Sequence, residues 1–553
     1  MLKIYKMNNP LSMKNFLAFC GLVAVFAHTL CFAEDHTTML PAETLAYVSV
    51  DSWDTAVQLW DNPRFIPIAA EDRRFQDLDF ADQFGLTIET FGTLASGRVT
   101  RAMVSPDALI DGTTVIIADV DSEAVERWKK EVELKPVQDN LFSLSFFNAK
   151  EQSATAFFLF TEEQIAFSQH QQPLADMAGQ LASSSRGSSL ANEKAFVEAG
   201  SRLLSNPDEE GVHFEWFSRP WLNDVEKTQT GGSKNVKNEF HRHGFDAVFA
   251  LAGCVQQKND STAGTTSITV LAEPPYRSTL GIFTPVSTPA VSVPNWAFKT
   301  GRDGIVMQLD FRSAMENIAT LFDDAFAEGI EGTYRDLLAD IKAEDGMGLD
   351  LDKELFAKLG PKLIYLGDIK NKSWLAAIEV ADAKHVAEVV RLLVEDDPDV
   401  TGETLQGTDN PLWKIAATKD TPEWYLHVSD KYLFSASRPD GMTAAGENQS
   451  SEDMDQWFKE VLALPGSSES RDVVGLAWTK PDQADGQEYS AANTMRGWFL
   501  GNYRESKTWW ERESRNENFF DFLPDTPTTS RTGSRGVAFQ ENHGGWTFYW
   551  QFQ

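Results

Sequence analysis

Val115-Ile116-Ile117-Ala118-Asp119-Val120 runs into a stretch carrying Val125, Trp128 and Val132. Further on, Leu375-Ala376-Ala377-Ile378-Glu379-Val380 runs into Val386, Val389, Val390 and Leu393. Each is a buried strand followed by a helix whose apolar residues recur at three- and four-residue spacing, the mark of one buried face. The pairing extends in both directions. Tyr47-Val48-Ser49-Val50-Asp51, before a helix-like stretch from Trp53 to Trp60, answers Val306-Met307-Gln308-Leu309-Asp310, before another from Ser313 to Phe322. Gly85-Leu86-Thr87-Ile88-Glu89 answers Gly348-Leu349-Asp350-Leu351-Asp352. Ala166-Phe167-Ser168 answers Leu433-Phe434-Ser435, and Phe214-Glu215-Trp216 answers Leu476-Ala477-Trp478. The separation is about 260 residues throughout. Six matches in one order point to a tandem duplication of a unit far longer than a solenoid repeat.

The halves divide at a proline-rich stretch, residues 284–294, where Pro285, Pro289 and Pro294 block helix and ladder. This places a first domain at 34–283 and a second at 295–553. Within each, short alternating strands follow one another: Phe142 to Phe147, Thr155 to Phe160 and Gln164 to Ser168, then Leu412 to Ala416, Glu423 to Val428 and Tyr432 to Ser435. Consecutive strands joined by turns predict an antiparallel meander. Helices come between groups of strands, so the expected fold class is α+β: two homologous tandem domains, each a curved antiparallel sheet with helices packed mainly on one face. An aromatic-rich segment near 502–525, with Trp509, Trp510, Phe519, Phe520 and Phe522, lacks a counterpart and reads as an insertion. Gly545 to Phe552 reads as a closing strand.

Certain short motifs resemble a known family. Leu40-Pro41-Ala42-Glu43-Thr44-Leu45-Ala46-Tyr47, Gly348-Leu349-Asp350-Leu351-Asp352-Lys353-Glu354-Leu355 followed by Leu359-Gly360-Pro361-Lys362, and Glu273-Pro274-Pro275-Tyr276-Arg277 are similar to stretches of uncharacterised secreted planctomycete proteins related to domain of unknown function 3352. The resemblance implies a fold and export; it implies no catalytic residue.

The first 33 residues read as a signal peptide. Lys3, Lys6 and Lys14 form a positive start, Phe16 to Ala27 is an apolar run, and Cys31-Phe32-Ala33 offers small residues for cleavage. The run is shorter than the about 20 apolar residues that span a bilayer. Cys20 follows Phe19 and Cys31 follows Leu30, which does not suit lipidation. Over the whole chain of 553 residues, 49 basic against 82 acidic side chains give a net charge of −33; cleavage after Ala33 removes three lysines, so 46 − 82 = −36 remains. Such a surface repels anionic polymers and excludes general nucleic-acid binding. Cleavage also leaves Cys254 as a single cysteine, so no internal disulfide is expected. It sits in Phe249-Ala250-Leu251-Ala252-Gly253-Cys254-Val255, where a buried, inert thiol is expected because no basic neighbour is evident. No later segment is long and apolar enough to span a membrane.

Motifs of known chemistry are missing: G-x-S-x-G, the P-loop, H-E-x-x-H and the dinucleotide turn, since Gly346-Met347-Gly348 is followed by Leu351 where a third glycine is needed. Three groupings carry residues of chemical interest. His241-Arg242-His243, near Glu239 and Asp246, places two imidazoles on one strand face, but no third ligand follows from spacing and a solvated loop edge is the better reading. Asp397-Pro398-Asp399-Val400-Thr401-Gly402 imitates a calcium loop but has Thr408 where a bidentate glutamate belongs, so a turn is expected. Asp51 and Asp310, at matching positions before a helix in each half, read as caps. No catalytic, cofactor-binding or metal residue is assigned, and no cofactor. The expected function is that of an exported, periplasmic or extracellular protein that binds or scaffolds an unidentified envelope component without catalysis. The alternatives are a carrier of an apolar ligand or lipid, and a hydrolase whose site is scattered through the sequence.

Overall fold

The computed structural model describes residues 34–53, 81–104, 114–148, 150–182, 189–203, 211–219, 241–258, 264–282, 292–294, 296–297, 303–327, 330–344, 346–368, 373–395, 397–405, 411–417, 422–446, 473–479, 536–542 and 544–552. The signal-peptide region, most of the proline-rich connector and the segment at 502–525 lie outside them.

Among the described residues there are twenty strands. The first half contributes β1 (Ala46–Val50), β2 (Ala95–Met103), β3 (Thr114–Val120), β4 (Lys135–Gln138), β5 (Leu141–Phe147), β6 (Ser153–Phe160), β7 (Gln164–Ser168), β8 (Gly211–Ser218), β9 (Val248–Lys258) and β10 (Gly264–Ala272). The second contributes β11 (Asp303–Gln308), β12 (Leu359–Asp368), β13 (Ser373–Val380), β14 (Val400–Thr404), β15 (Pro411–Ile415), β16 (Trp424–Val428), β17 (Tyr432–Ala436), β18 (Val473–Thr479), β19 (Gly536–Asn542) and β20 (Gly545–Phe552). All pairings are antiparallel. The first ten lie in the order 4-5-6-7-3-2-1-8-9-10. The second ten repeat that order as 14-15-16-17-13-12-11-18-19-20. The halves meet where the equivalent strands β10 and β20 pair, from Gly264 opposite Phe552 to Leu271 opposite Gly545. The closing strand is therefore real, and it has one ladder partner, β19, in its own half and another, β10, in the other half. The result is one continuous sheet with a pseudo-two-fold at its centre.

The backbone carries the duplication in detail. Gly85 and Gly348 both adopt φ of +64°, a left-handed turn that favours glycine. A bulge interrupts β2 between Ala95 and Val99, and another interrupts β12 between Leu359 and Leu363. At the first, a Cβ on Gly97 would lie 2.9 Å from the Asp119 carboxylate; at the second, a Cβ on Gly360 would lie 3.0 Å from Glu379.

Ladder positions counted from these bulges correct three of the sequence matches. Phe167 and Phe434 face opposite sides of the sheet: Phe167 packs with Trp128, Phe434 with Trp296. Trp216 and Trp478 also oppose; Trp216 shares its core with Ala477. Both matches are off by one residue, which flips a side chain to the other face. Asp51 and Asp310 are off by two, since β1 and β11 begin together at Ala46 and Asp303. A two-residue slip keeps the face, so the apolar pattern could not detect it.

The helices, in chain order, are α1 (Glu34–Met39), α2 (Ile88–Leu94), α3 (Ser122–Glu131), α4 (Gln171–Ala182), α5 (Lys194–Arg202), α6 (Ser278–Gly281), α7 (Phe311–Asn317), α8 (Ala319–Phe326), α9 (Thr333–Lys342), α10 (Leu351–Glu354), α11 (Ala383–Val394) and α12 (Asp440–Gly446). The helix expected from Ser313 to Phe322 is two short ones, broken at Ile318. Asp121 caps α3 through Ala124 N at 2.9 Å, and Asp382 caps α11 through His385 N at 3.2 Å. On the front face, Val125 and Trp128 of α3 and Phe91 and Leu94 of α2 pack on Phe158, Ile165 and Phe167. Val386 and Val390 of α11 pack on Val380, Trp413 and Val428 in the second half. Each such burial stabilises by roughly 1.5–3 kcal/mol. Between them a shared front core joins Trp216, Ile268 and Trp546 to Met307, Leu309, Phe311 and Ala477.

On the back of the first half, Leu40, Leu174, Met177, Phe196 and Ala199 cover Val115, Ile117 and Ala166. The first half thus has helices on both faces, a more even distribution than the mainly one-faced packing expected. Alternation along β3 shows why: Ile116 and Ala118 face α3, Val115 and Ile117 face α4 and α5, so both faces are apolar and both need cover. The outermost strands β4 and β14 are short and exposed, with Lys135 and Pro136 on one and Gly402 and Glu403 on the other, residues that discourage further pairing.

Candidate functional site

In the first half, a polar row crosses the back face. Thr100 of β2 lies opposite Ser49 of β1, Ser49 opposite Glu215 of β8, Glu215 opposite Cys254 of β9, and Cys254 opposite Ser267 of β10. All five are buried. Strand alternation then puts Tyr47 and Asp51 beside Ser49, and His213 beside Glu215, on the same face. The Ser49 and Thr100 hydroxyls are 2.9 Å apart, and His36 Nδ1 is 2.8 Å from Thr100 Oγ1. His36 Nε2 lies 3.0 Å from Asp119 Oδ1, which also accepts from Gln164 at 3.2 Å. Burial alone would raise the Asp119 carboxyl; His36, Gln164 and the Arg98 backbone N–H together outweigh it and hold the group below the usual carboxylate range.

The other end of the row is chemically richer. His213 Nδ1 lies 3.2 Å from Asp51 Oδ1, and His213 Nε2 lies 3.2 Å from Cys254 Sγ. Arg98 stands 3.9 Å from the same Asp51 oxygen, and Glu215 Oε2 is 4.0 Å from His213 Nε2. The Tyr47 hydroxyl donates to Glu215 Oε1. Burial pushes the Tyr47 phenol well above its usual value, helped by the Glu215 charge. For His213, burial favours the neutral ring, but the hydrogen bond to Asp51 and the charges of Glu215 and Asp51 prevail and raise its pKa. The cluster is layered: the Asp51 side chain is 35 % exposed, that of His213 17 %, and Cys254 0 %. This corrects the sequence expectation for Cys254. The thiol is buried, but it has a basic neighbour, brought from 41 residues away by the β8–β9 ladder.

His241 and His243 do not converge: His241 Nδ1 meets Asp246 at 2.8 Å, and His243 Nε2 meets Asp324 at 3.0 Å. Glu239 lies outside the described residues. Asp324 belongs to α8, so His243 and Arg242 tie the first half to the second. Asp397 accepts from Asp399 N at 2.9 Å, a local turn; Thr408 lies outside the described residues. Asp310 caps α7 through Ser313 N at 3.1 Å, as expected. Asp51 holds His213; the stretch after Trp53 that it was expected to cap lies outside the described residues. Among the described residues, no group of three His, Cys, Asp or Glu side chains is arranged to hold a metal ion. None of their helices is long and apolar enough to cross a membrane.

A second feature lies in the other half. The α8–α9 hairpin displays Phe326 at 78 % and Ile330 at 67 % exposure, with Leu321, Leu337 and Met347 exposed as well. The same stretch exposes the acids Glu331, Asp336, Asp340 and Glu344 and the bases Arg335 and Lys342. The hairpin is firmly built. Asp323 accepts from Gly332 N at 2.7 Å and Tyr334 N at 2.8 Å, and Phe322 packs on the Tyr334 ring.

No family model matches the chain, and no curated protein matches it. Among solved structures, it is similar to crystal form IV of TP0453, at 7 % identity and a TM-score of 0.22, over 42 % of this chain and 79 % of that one. Crystal form III of TP0453 gives 7 % identity and a TM-score of 0.21, over 43 % of this chain and 79 % of that one. A likeness this low carries no conclusion about this chain.

Proposed function

We propose that this is an exported protein of the cell envelope that binds or scaffolds a protein partner and is not itself an enzyme. The observation that carries the reading is the α8–α9 hairpin, whose exposed Phe326 and Ile330 are held on a rigid, capped support. Exposed apolar side chains rimmed by polar ones mark interaction sites. The exposed charges of the hairpin are acidic in balance, Glu331, Asp336, Asp340 and Glu344 against Arg335 and Lys342, so the complementary partner is a protein with an apolar groove edged mainly by lysine or arginine. The continuous sheet supports the scaffold role, because one hydrogen-bonded body fixes the hairpin relative to the first half.

Hydrolysis by Asp51, His213 and Cys254 finds less support, since the sulfur has no exposed surface for an acyl substrate to approach. A carrier role finds less support too. Described side chains such as Phe196, Leu174 and Phe217 fill the first-half back core.

The test is a photo-cross-linker placed at Phe326 in cells. The reading expects one basic envelope protein to be trapped, the adduct to disappear with Ile330→Asp, and the isolated complex to weaken as salt rises. An absent adduct, or the same adduct from a cross-linker at the exposed Phe147 on β5, would overturn it.

A further inference from the structure

The duplication provides an internal control for the polar row. Counted from the matching bulges, the second-half row is Ile364, Val306, Leu476, Ala538 and Tyr549, each opposite the next. His213 corresponds to Val474, and Asp51 to Gln308. The same ladder therefore forms without a thiol, an imidazole or a carboxylate. Buried ionisable groups are costly, and apolar replacements of similar size are often neutral or stabilising. Folding does not require the Asp51–His213–Cys254 line, so its presence in one half asks for a chemical reason.

We propose that Cys254 is a reactive thiol, held as a thiolate by His213 and Asp51, that is modified by small uncharged oxidants of the peroxide class. The geometry is directional. Asp51 accepts the hydrogen bond of the His213 Nδ1–H, and the sulfur lies at the other nitrogen, nearer than Glu215: 3.2 Å against 4.0 Å. An imidazolium so placed stabilises a thiolate. The charged groups around the cluster bear on the imidazole: Asp51 and Glu215 favour its cation, Arg98 opposes it, and Tyr47 ties down Glu215. Asp51 and Glu215 raise the His213 pKa and so favour the imidazolium form.

The step balances. The thiolate attacks one oxygen of hydrogen peroxide, an S–O bond forms and the O–O bond breaks. Sulfur loses two electrons and peroxide gains them. The departing hydroxide takes the proton from His213 Nε2 and leaves as water. Cysteine sulfenic acid and a neutral imidazole remain. The half-buried His213 stands between the sulfur and solvent, which favours reagents of peroxide size over bulky ones. This inference is independent of the docking reading above.

The experiment treats the folded, full chain with hydrogen peroxide, traps sulfenic acid with dimedone, and locates the adduct by peptide mapping. The rate at Cys254 is followed from pH 6 to pH 8. A thiolate already formed gives a rate that changes less than about threefold, whereas an ordinary thiol with a pKa near 8.5 rises roughly seventyfold. His213→Asn is expected to restore the steep profile. The wild-type profile decides the matter even if that variant does not fold. An ordinary-thiol profile in the wild type would overturn the proposal, as would a folded chain that gains no adduct at peroxide levels that modify the denatured chain. A bulky aromatic disulfide reagent is expected to react far more slowly with the folded chain than with the denatured one. Equal rates would overturn the size selection.

Discussion

Thr100, Ser49, Glu215, Cys254 and Ser267 cross the back of the first half; Ile364, Val306, Leu476, Ala538 and Tyr549 cross the back of the second. The two rows sit on one ladder, with one strand order and one pair of bulges. Their difference separates what the fold demands from what is added to it. The ladder tolerates either chemistry, because strand pairing uses backbone groups and leaves the side chains to the packing on each face. In the second half that packing is apolar, with Trp478 seated over Gly304, where a Cβ would lie 2.0 Å from the ring. In the first half, hydrogen bonds replace part of it.

The largest effect belongs to the apolar face of the second half, beside that row. Trp478→Ala removes a fully buried indole and should cost about 3–5 kcal/mol in denaturant unfolding. A loss below about 1 kcal/mol would mean that Trp478 is not packed as described. Next comes Glu215→Ala, which strands the Tyr47 hydroxyl and should cost about 1–3 kcal/mol. The double variant Tyr47→Phe, Glu215→Leu copies the apolar chemistry of the other half. It should be more stable than Glu215→Ala and lie within about 1 kcal/mol of wild type, since paired apolar replacement leaves no group unsatisfied. A double variant worse than the sum of its parts would break the comparison.

Smaller again is Asp310→Ala, which removes the α7 cap and should cost about 1 kcal/mol. The smallest effect is a slope. The folded-state pKa of His213 is raised, so its stabilising contribution is full below about 6.5, the unfolded value, and is lost as pH rises through the folded value. Asp51→Asn should flatten that decline. An unchanged stability–pH profile would remove His213 as its source.

Much of the architecture was legible in the sequence. Local pattern reports local structure: β7 begins and ends where alternation placed it, Asp310 caps as its position before a helix suggested, and the strand–helix units at Val115 and Leu375 are real. Pairing across distance was not legible. Nothing near Gly545 announces that β20 joins β10 rather than completing a sheet of its own. Side-chain period fixes the face but not a two-residue register, which is why Asp51 and Asp310 looked equivalent. The thiol site failed for the same reason. Asp51, His213 and Cys254 are meaningless apart and meet only through two ladders. One signal was present: His213 and Glu215, two residues apart, interrupt the apolar run of β8, whereas Leu476-Ala477-Trp478 is uninterrupted.

Hydrogen exchange at the centre of the sheet tests the central claim, that two copies of one unit are fused through their equivalent strands. If β10 and β20 pair as described, the amides of Trp546 to Phe552 exchange as slowly as those of Thr265 to Leu271, and both sets are released in one cooperative step. A β20 that exchanges rapidly while β10 stays protected, or two sets released in separate steps, would contradict the fusion and return the protein to two independent sheets.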